Sequence, residues 1–493
     1  MSAPTGNEPQ PNLKQRARFG MLVLAVRSAM QQLVVLVASI FLARILAPGD
    51  YGIFGILQFA MALLKLIGET GLGASLLQRE TPPNDLELST VWWFQAAMGL
   101  LLVAASFLAA PLLPIFWPSL TDGTQWLLPA FSLSLFFTMM RVVPFLILER
   151  NVSFGWVGTL EFFGTLGYYS VALLLAHAGA GVKALVWASV GQAALVSIAA
   201  NIVQPWHPRF VFSWSAVRSM MKFGAAFQGN HVLGFINGAV TPLLVGAKLG
   251  KEALGIVQFA QGTAWFPTAP VGIVRQVYFP YLSRLQSQPK AFIEEFELAV
   301  TLCALPTFFF FALFAGGGPA LIPLIYGAKW SVAVPIVYVY SIGFCFNFYS
   351  WIGGAAIEAL GQTGGIFRVA VIGLVTNWSC ALLATWWVPT TLSFALGFCV
   401  HLIVSPLVIY VILQKLVPGL RPLPRVVPSL VAGCVAAGVG RLLLPWVGGL
   451  GTLAAWIVPV ALVFAGITLT LDARLRAFTQ RKLHAWLEKR RAV

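Results

Sequence analysis

The residues of this 493-residue chain that could do chemistry are ionisable and amide side chains set inside long apolar runs. Gln58, Lys65 and Glu69 are spaced by seven and four residues, which at roughly 100° per residue puts them within about 40° of one another on a helix. Lys65 and Glu69, at i and i+4, can pair. Arg27 and Gln31 share a face of the preceding run. Asn230, Asn237 and Thr241 repeat the seven-and-four spacing beside His231, and Gln261, Thr268 and Arg275 share a face of the next run. An ionisable group at the centre of a bilayer is unfavourable by about 2.5–3.5 kcal/mol on insertion scales, so each should face a partner or a cavity. For a lone Asn or Gln the simpler account is a hydrogen bond between helices. For Arg27, Lys65 and Glu69 together a hydrated cavity is the better one. Arg27, Lys65 and Arg275 outweigh Glu69, so the cavity is expected to be cationic. Guanidinium forks and an ammonium suit an anion of the phosphate type. Glu69 is the candidate for ion coupling, and Gln31, Gln58, Asn230, His231, Asn237 and Gln261 are the expected polar lining.

These side chains must be carried by membrane-spanning helices. The chain is 59% hydrophobic and only 10% charged, with a mean hydropathy of +0.84, whereas about 25% of residues in a soluble domain are charged. That excludes an ordinary soluble protein and a disordered chain. The net charge of +15, from 31 Lys+Arg against 16 Asp+Glu, would suggest nucleic acid on a soluble chain. Here it reflects basic loops held on the cytoplasmic side of a membrane, and no nucleic-acid partner is expected. Runs of about 20 apolar residues predict fourteen spans, near 20–43, 51–77, 90–112, 125–147, 156–177, 182–203, 223–247, 253–277, 298–323, 331–357, 366–387, 391–414, 427–445 and 450–471. Turn chemistry separates them, as at Ala47-Pro48-Gly49-Asp50 and Pro82-Pro83-Asn84-Asp85. With the N-terminus inside, 21 Lys and Arg fall on inner segments and six on outer ones: Arg44, Lys183, Lys248, Lys251, Lys329 and Arg441. Both termini are therefore expected in the cytoplasm. The first apolar run is too long for a cleavable signal and lacks a cleavage site.

Gly52 follows the first span and Gly255 the seventh, 203 residues apart, and the spans themselves begin near 20 and 223. Six helices separate the copies, so both have the same orientation, as in a parallel repeat about an axis along the membrane normal. The expected architecture is all-α: an N-terminal tail (1–19), an N-lobe of six helices (20–203), a cytoplasmic linker (204–222), a C-lobe of six (223–415), two further helices (427–471) and a basic tail (472–493). Leu471, Leu475, Phe478 and Trp486 can share one face of that tail, which reads as a helix on anionic lipid or as a topology anchor.

No G-x-x-x-x-G-K-[ST] or H-E-x-x-H pattern is present, and no cofactor or metal is expected. No loop is large enough for a nucleotide-sugar site, so the chain is read as a non-enzyme. Cys303, Cys345, Cys380, Cys399 and Cys434 lie in apolar stretches without C-x-x-C and read as packing residues. Gly316-Gly317-Gly318, beside Pro319, reads as a helix break. Trp92, Trp93, Trp386 and Trp387, near span ends, read as an interfacial belt rather than a sugar-stacking platform. Arg141, Glu149, Arg150 and Glu161 read as snorkelling residues or as a salt-bridge cluster.

Arg44-Ile45-Leu46-Ala47-Pro48-Gly49-Asp50-Tyr51-Gly52 resembles the R-x-L-x-P-x-x-Y/F-G junction between the first two helices of bacterial polysaccharide flippases. Glu69-Thr70-Gly71-Leu72 through Leu77-Gln78-Arg79 resembles their D-x-G-L-x-x-x-L-x-Q-R segment, with Glu69 where Asp is commoner. The chain resembles the Wzx-type oligosaccharide-lipid flippases, in the exopolysaccharide and colanic-acid-type branch of the multidrug/oligosaccharidyl-lipid/polysaccharide superfamily. The resemblance implies alternating access and movement of an undecaprenyl-pyrophosphate-linked oligosaccharide across the bacterial inner membrane. The implied partners are that lipid-linked oligosaccharide, membrane lipids, a polysaccharide polymerase and a chain-length regulator. A multidrug antiporter of the superfamily should have an acidic cavity. A lipid II flippase shares the architecture. A membrane polysaccharide polymerase should carry a large periplasmic loop, which is absent.

Overall fold

Hydropathy alone dictates a bundle, and what had to be found is where its helices break and how the lobes meet. The computed structural model describes residues 13–68, 71–120, 123–151 and 153–476. In chain order the helices are α1 (Leu13–Ile45), α2 (Pro48–Gly68), α3 (Leu72–Gln78), α4 (Asp85–Ala109), α5 (Leu113–Phe116), α6 (Leu127–Met140), α7 (Val142–Arg150), α8 (Phe154–His177) and α9 (Val182–Val203). There follow α10 (Trp214–Val240), α11 (Ala247–Trp265), α12 (Ala269–Arg284), α13 (Pro289–Tyr326), α14 (Val334–Ala359), α15 (Thr363–Trp387), α16 (Thr391–Leu416), α17 (Leu423–Leu443) and α18 (Leu450–Leu471). Twelve stretches among the described residues are long and apolar enough to cross a membrane. One of them, His231–Arg284, is interrupted at Gly250 (φ 83°) and holds two of the expected spans, and the shorter Met30–Ile45 is the apolar part of α1. The expected fourteen agrees with this to within how those two are counted.

Several expected boundaries give way to local chemistry. The run expected at 51–77 is two helices: α2 ends at Gly68, and α3 starts after Gly71, whose φ of 70° no helix continues through. Leu72 and Leu76 of α3 then pack with Val143 and Leu146 of α7 and Val217 and Met220 of α10. The run expected at 253–277 divides at a 3-10 turn, Phe266–Thr268, because Pro267 and Pro270 cannot supply backbone donors there. The opposite correction applies to Gly316-Gly317-Gly318. They do not break α13, which passes through them. A Cβ at Gly316 would come 2.8 Å from the Ala437 carbonyl of α17, and one at Gly317 would come 2.5 Å from the Trp456 ring of α18. The run is a small-residue face on which the last two helices sit. Cys303, Cys345 and Cys399 are buried packing residues, Cys380 is half-buried and Cys434 exposed, and none of the five is disulfide-bonded.

Turn side chains fix the ends. Asn84 and Glu87 form a capping box on α4. Asp50 accepts from the Ala47 amide at 2.9 Å and from the Val182 amide of α9 at 3.0 Å, tying the α1–α2 turn to another helix start. Asp472 accepts from the Arg474 and Leu475 amides. Phe478 and Trp486 of the expected amphipathic tail lie outside the described residues, as does most of the N-terminal tail.

The two repeats meet along α2 and α11. A Cβ on Gly52 would fall 1.7 Å from the Lys251 carbonyl oxygen, and one on Gly255 would fall 1.8 Å from that of Pro48. Gly52 and Gly255, and likewise Pro48 and Lys251, are related by the same 203-residue shift. The contact is therefore its own image, as a near-twofold axis between the helices requires. Around it lies a buried apolar cluster drawn from both lobes, with Ile53, Ile56 and Leu57 on one side and Leu254, Val257 and Trp330 on the other.

Candidate functional site

Beneath that seam the lobes part around a cavity of about 730 Å³. Gln32 and Ser39 of α1, Tyr51 and Gln58 of α2, and Tyr168 and Tyr169 of α8 line it from the N-lobe. Gln258, Gln261 and Trp265 of α11, Tyr326 of α13 and Trp351 of α14 line it from the C-lobe. Gln58 and Gln261 are again related by the 203-residue shift, so the repeat places one amide on each wall. No charged side chain among the described residues lines this cavity. Its surface combines aromatic rings and aliphatic side chains such as Val35, Leu36 and Leu185 with amides and hydroxyls: apolar faces, with neutral donors and acceptors between them.

One end of the cavity is shut. The Arg44 guanidinium donates through Nε to the Ile325 carbonyl at 2.7 Å and through Nη2 to the Leu324 carbonyl. Lys329 Nζ donates to the Arg44 and Leu46 carbonyls at 2.8 and 2.6 Å. Three of these acceptors, Arg44, Leu324 and Ile325, are last-turn carbonyls, which lack an intrahelical donor, and the fourth, Leu46, directly follows α1. Each lobe thus supplies the cation that closes a helix end of the other, at the pole where the macrodipole favours positive charge. Trp330 Nε1 donates to the Ala43 carbonyl at 2.9 Å, while its ring stacks on Phe259 at 3.9 Å and meets the edge of Tyr51 at 5.4 Å. Trp117 Nε1 donates to the Pro242 carbonyl at 2.8 Å.

The residues singled out from sequence divide. Gln58 and Gln261 line the cavity, as does Thr268. Arg27 and Gln31 face α8 instead. Gln31 Nε2 donates to Thr165 Oγ1 at 3.0 Å, and a Cβ on Gly158 would fall 1.0 Å from Arg27 Nη1. The Arg27 Nε is buried with no hydrogen-bond partner among the described residues. It is the neighbouring Gln32 that meets the cavity, one residue and about 100° further round the helix. Lys65 is exposed near the end of α2, and Glu69 lies outside the described residues. Asn230 falls in α10, its side chain outside the described set, and His231 is exposed there. Asn237 accepts from Asn377 Nδ2 at 3.0 Å, holding α10 to α15. Arg275 lines a second cavity of about 370 Å³ together with Asn347, Ser350, Glu358 and His401. Its Nη2 bridges both oxygens of Glu358, at 3.2 and 2.9 Å, and its guanidinium carbon is 5.8 Å from the Trp351 ring centre. Trp351 walls both cavities, and neither Arg27 nor Lys65 lines either of them.

Of Arg141, Glu149, Arg150 and Glu161, the first and last form an ion pair. Arg141 Nη1 bonds Glu161 at 2.8 Å, while Arg150 donates to the carbonyls of Leu76 and Arg79 at 2.6 and 2.9 Å, and Arg79 pairs with Glu87 at 2.7 Å. Trp386 and Trp387 stand exposed, as a belt requires. Trp265 and Trp351, by contrast, are cavity residues that sequence reasoning passed over. Two signals pointed to the missed residues: Gln258 is the 203-shifted counterpart of Gly55, and Glu358 falls one residue past the expected span at 331–357.

A two-lobed bundle of apolar helices closed at one end over a cavity lined by rings, aliphatic side chains and neutral amides defines a multi-pass membrane protein of transporter architecture. The profile of the polysaccharide biosynthesis protein family matches residues 41–335, and the chain belongs to that family. It is 24% identical over 288 residues to the teichuronic acid biosynthesis protein TuaB of Bacillus subtilis, a match that covers 56% of this chain and 58% of that one. The chain thus spans little more than half the length of that relative. It is 25% identical over 368 residues to the succinoglycan biosynthesis transport protein ExoT of Rhizobium meliloti, covering 69% and 72% of the two chains. To the lipopolysaccharide biosynthesis protein WzxC of Escherichia coli it is 21% identical over 387 residues, covering 70% and 76%. Among solved structures, the lipid II flippase MurJ in an inward closed conformation superposes with a TM-score of 0.74 at 16% identity, over 92% of this chain and 99% of that one. That likeness defines the fold.

Proposed function

We propose that the protein flips a lipid-linked oligosaccharide from the cytoplasmic to the periplasmic leaflet of the bacterial inner membrane, by alternating access between its two lobes. The observation that carries this reading is the ring- and amide-lined cavity at the repeat interface, which no charged side chain among the described residues lines. Sugar rings offer apolar faces to stack on aromatics and hydroxyls to bond amides, and about 730 Å³ holds a short oligosaccharide. A lipid tail would remain in the bilayer while the head group crosses in a polar path, sparing it desolvation in hydrocarbon. Names of relatives that include teichuronic acid, succinoglycan and lipopolysaccharide biosynthesis support polysaccharide precursors as the cargo. The closed end of the cavity is then periplasmic.

The diphosphate linker is assigned to the cations. Arg275, beside the shared Trp351, is the cation proposed to receive it in this arrangement, and Arg27 and Lys65 would join it only after the lobes shift. Charge-assisted hydrogen bonds contribute on the order of 1.5–3 kcal/mol, so Arg275→Ala, Arg27→Ala or Lys65→Ala should each slow export about 10- to 100-fold. Arg27→Lys should also be damaging, because an ammonium has no fork. The measurement is surface polysaccharide in a null strain complemented with each variant, normalised to protein in the membrane. Normal export by all three alanine variants would remove the cations from the mechanism. A second expectation concerns orientation: reporter fusions should place the C-terminus in the cytoplasm and the Lys248–Glu252 turn in the periplasm, and a periplasmic C-terminus would reverse the assigned direction.

A further inference from the structure

We infer that Glu358 is a resident counterion which an incoming diphosphate must displace from Arg275, and that it thereby sets how readily the head group is released. The inference rests on the proposed transport of a diphosphate-linked cargo. Glu358 lies in the last turn of α14 and Arg275 on α12. A single nitrogen, Nη2, donates to both carboxylate oxygens. A guanidinium grips an oxyanion at two points along one of two edges, Nε with Nη2 or Nη1 with Nη2. Both edges include Nη2. Glu358 therefore straddles the one nitrogen that every two-point contact requires, while Nε and Nη1 make no hydrogen bond among the described residues.

The surroundings favour an exchangeable pair over a structural one. The Arg275 and Glu358 side chains are 37% and 33% exposed, and both line the cavity rather than being sealed in the bundle. They form part of the wall of the 370 Å³ cavity, which shares Trp351 with the larger one. Ser350 lines the same cavity, and its buried hydroxyl has no hydrogen-bond partner among the described residues, a spare donor beside the ion pair. A carboxylate in such a place opposes an anion by like charge. That opposition is useful in a carrier, which must bind well enough to load and weakly enough to unload. A diphosphate, with more charge and more oxygens, takes Nη2 while it is bound. When it leaves, Glu358 closes the fork again and disfavours rebinding.

The experiment titrates farnesyl diphosphate into the full-length protein in lipid nanodiscs and measures cargo transport by the same variants in proteoliposomes. Glu358→Gln should bind farnesyl diphosphate about 10-fold more tightly than the wild type. Its transport should half-saturate at lower cargo concentration and have a lower maximal rate. Glu358→Asp, which draws the carboxylate back by one methylene, should tighten binding by less. Arg275→Ala combined with Glu358→Gln should lose the gain. Thermal unfolding of each variant checks that it is folded. If the wild type binds and neither Glu358 variant binds more tightly, the counterion role is overturned while the diphosphate reading stands. If neither the wild type nor any variant binds farnesyl diphosphate, both are overturned.

Discussion

Alanine at Gly52 or at Gly255 is expected to force the lobes apart at the closed end of the cavity and to abolish most transport. A Cβ at either position would sit less than 2 Å from a backbone oxygen of the other lobe. Ordinary contact needs more than 3 Å, and the obstacle is main chain, so no side-chain rotation relieves it. Overpacking of this kind costs about 1–3 kcal/mol, which shifts the balance between touching and separated lobes by about 5- to 150-fold. The two substitutions should be less than additive, because the displacement forced by the first makes room for the second. Gly191→Ala, whose new methyl meets nothing within 4 Å, is the control. The readout is labelling of a cysteine placed at Gln58, in a background from which Cys303, Cys345, Cys380, Cys399 and Cys434 have been removed. A membrane-impermeant thiol reagent on the periplasmic side should reach it much faster in either glycine variant. Labelling at the wild-type rate in both would mean that the α2–α11 crossing is not the closing contact.

The next largest effect is expected at Arg44 and Lys329. Together they satisfy three last-turn carbonyls and that of Leu46, just past α1, across the lobes. Their side chains are partly solvated, so each is credited with only about 0.5–1 kcal/mol. Losing both should move the lobe equilibrium about 5- to 30-fold towards the open form. Arg44→Ala and Lys329→Ala should each raise labelling at position 58, and the double variant should raise it further. Trp330→Phe retains the ring contacts with Phe259 and Tyr51 but loses the bond to the Ala43 carbonyl, and should give a smaller increase than either. Because charge is involved, added salt should raise wild-type labelling and leave the double variant nearly unchanged. Equal salt response in the two would show that the cations do not hold the closed end.

Class and span pattern were legible in the sequence because they are written locally. A run of about 20 apolar residues identifies a span without reference to its neighbours. The 203-residue offset between Gly52 and Gly255 is likewise a property of the string and gave the repeat, while the contact between the two glycines came from the structure. Periodicity fixes which residues of one helix share a face, which is why Gln58 was found, and why its counterpart Gln261 was found independently.

Tertiary structure alone decided how each helix is rotated about its axis and which distant group each charge meets. Arg27 and Gln31 do share a face, but packing against α8 turns that face away from the cavity and presents Gln32 instead. Arg275 meets a carboxylate 83 residues on, and Arg44 and Lys329 meet carbonyls some 280 residues away. As letters in the sequence those two cations were a minority of outer-loop charges, and only the approach of two helix ends gives them a role. The Gly316–Gly318 run shows the same limit, since glycine spells a break or a close approach equally well until α17 and α18 are set against it. The composition of a helix selects its solvent and its period, whereas its rotation is chosen by the fit of side chains across every neighbouring helix at once.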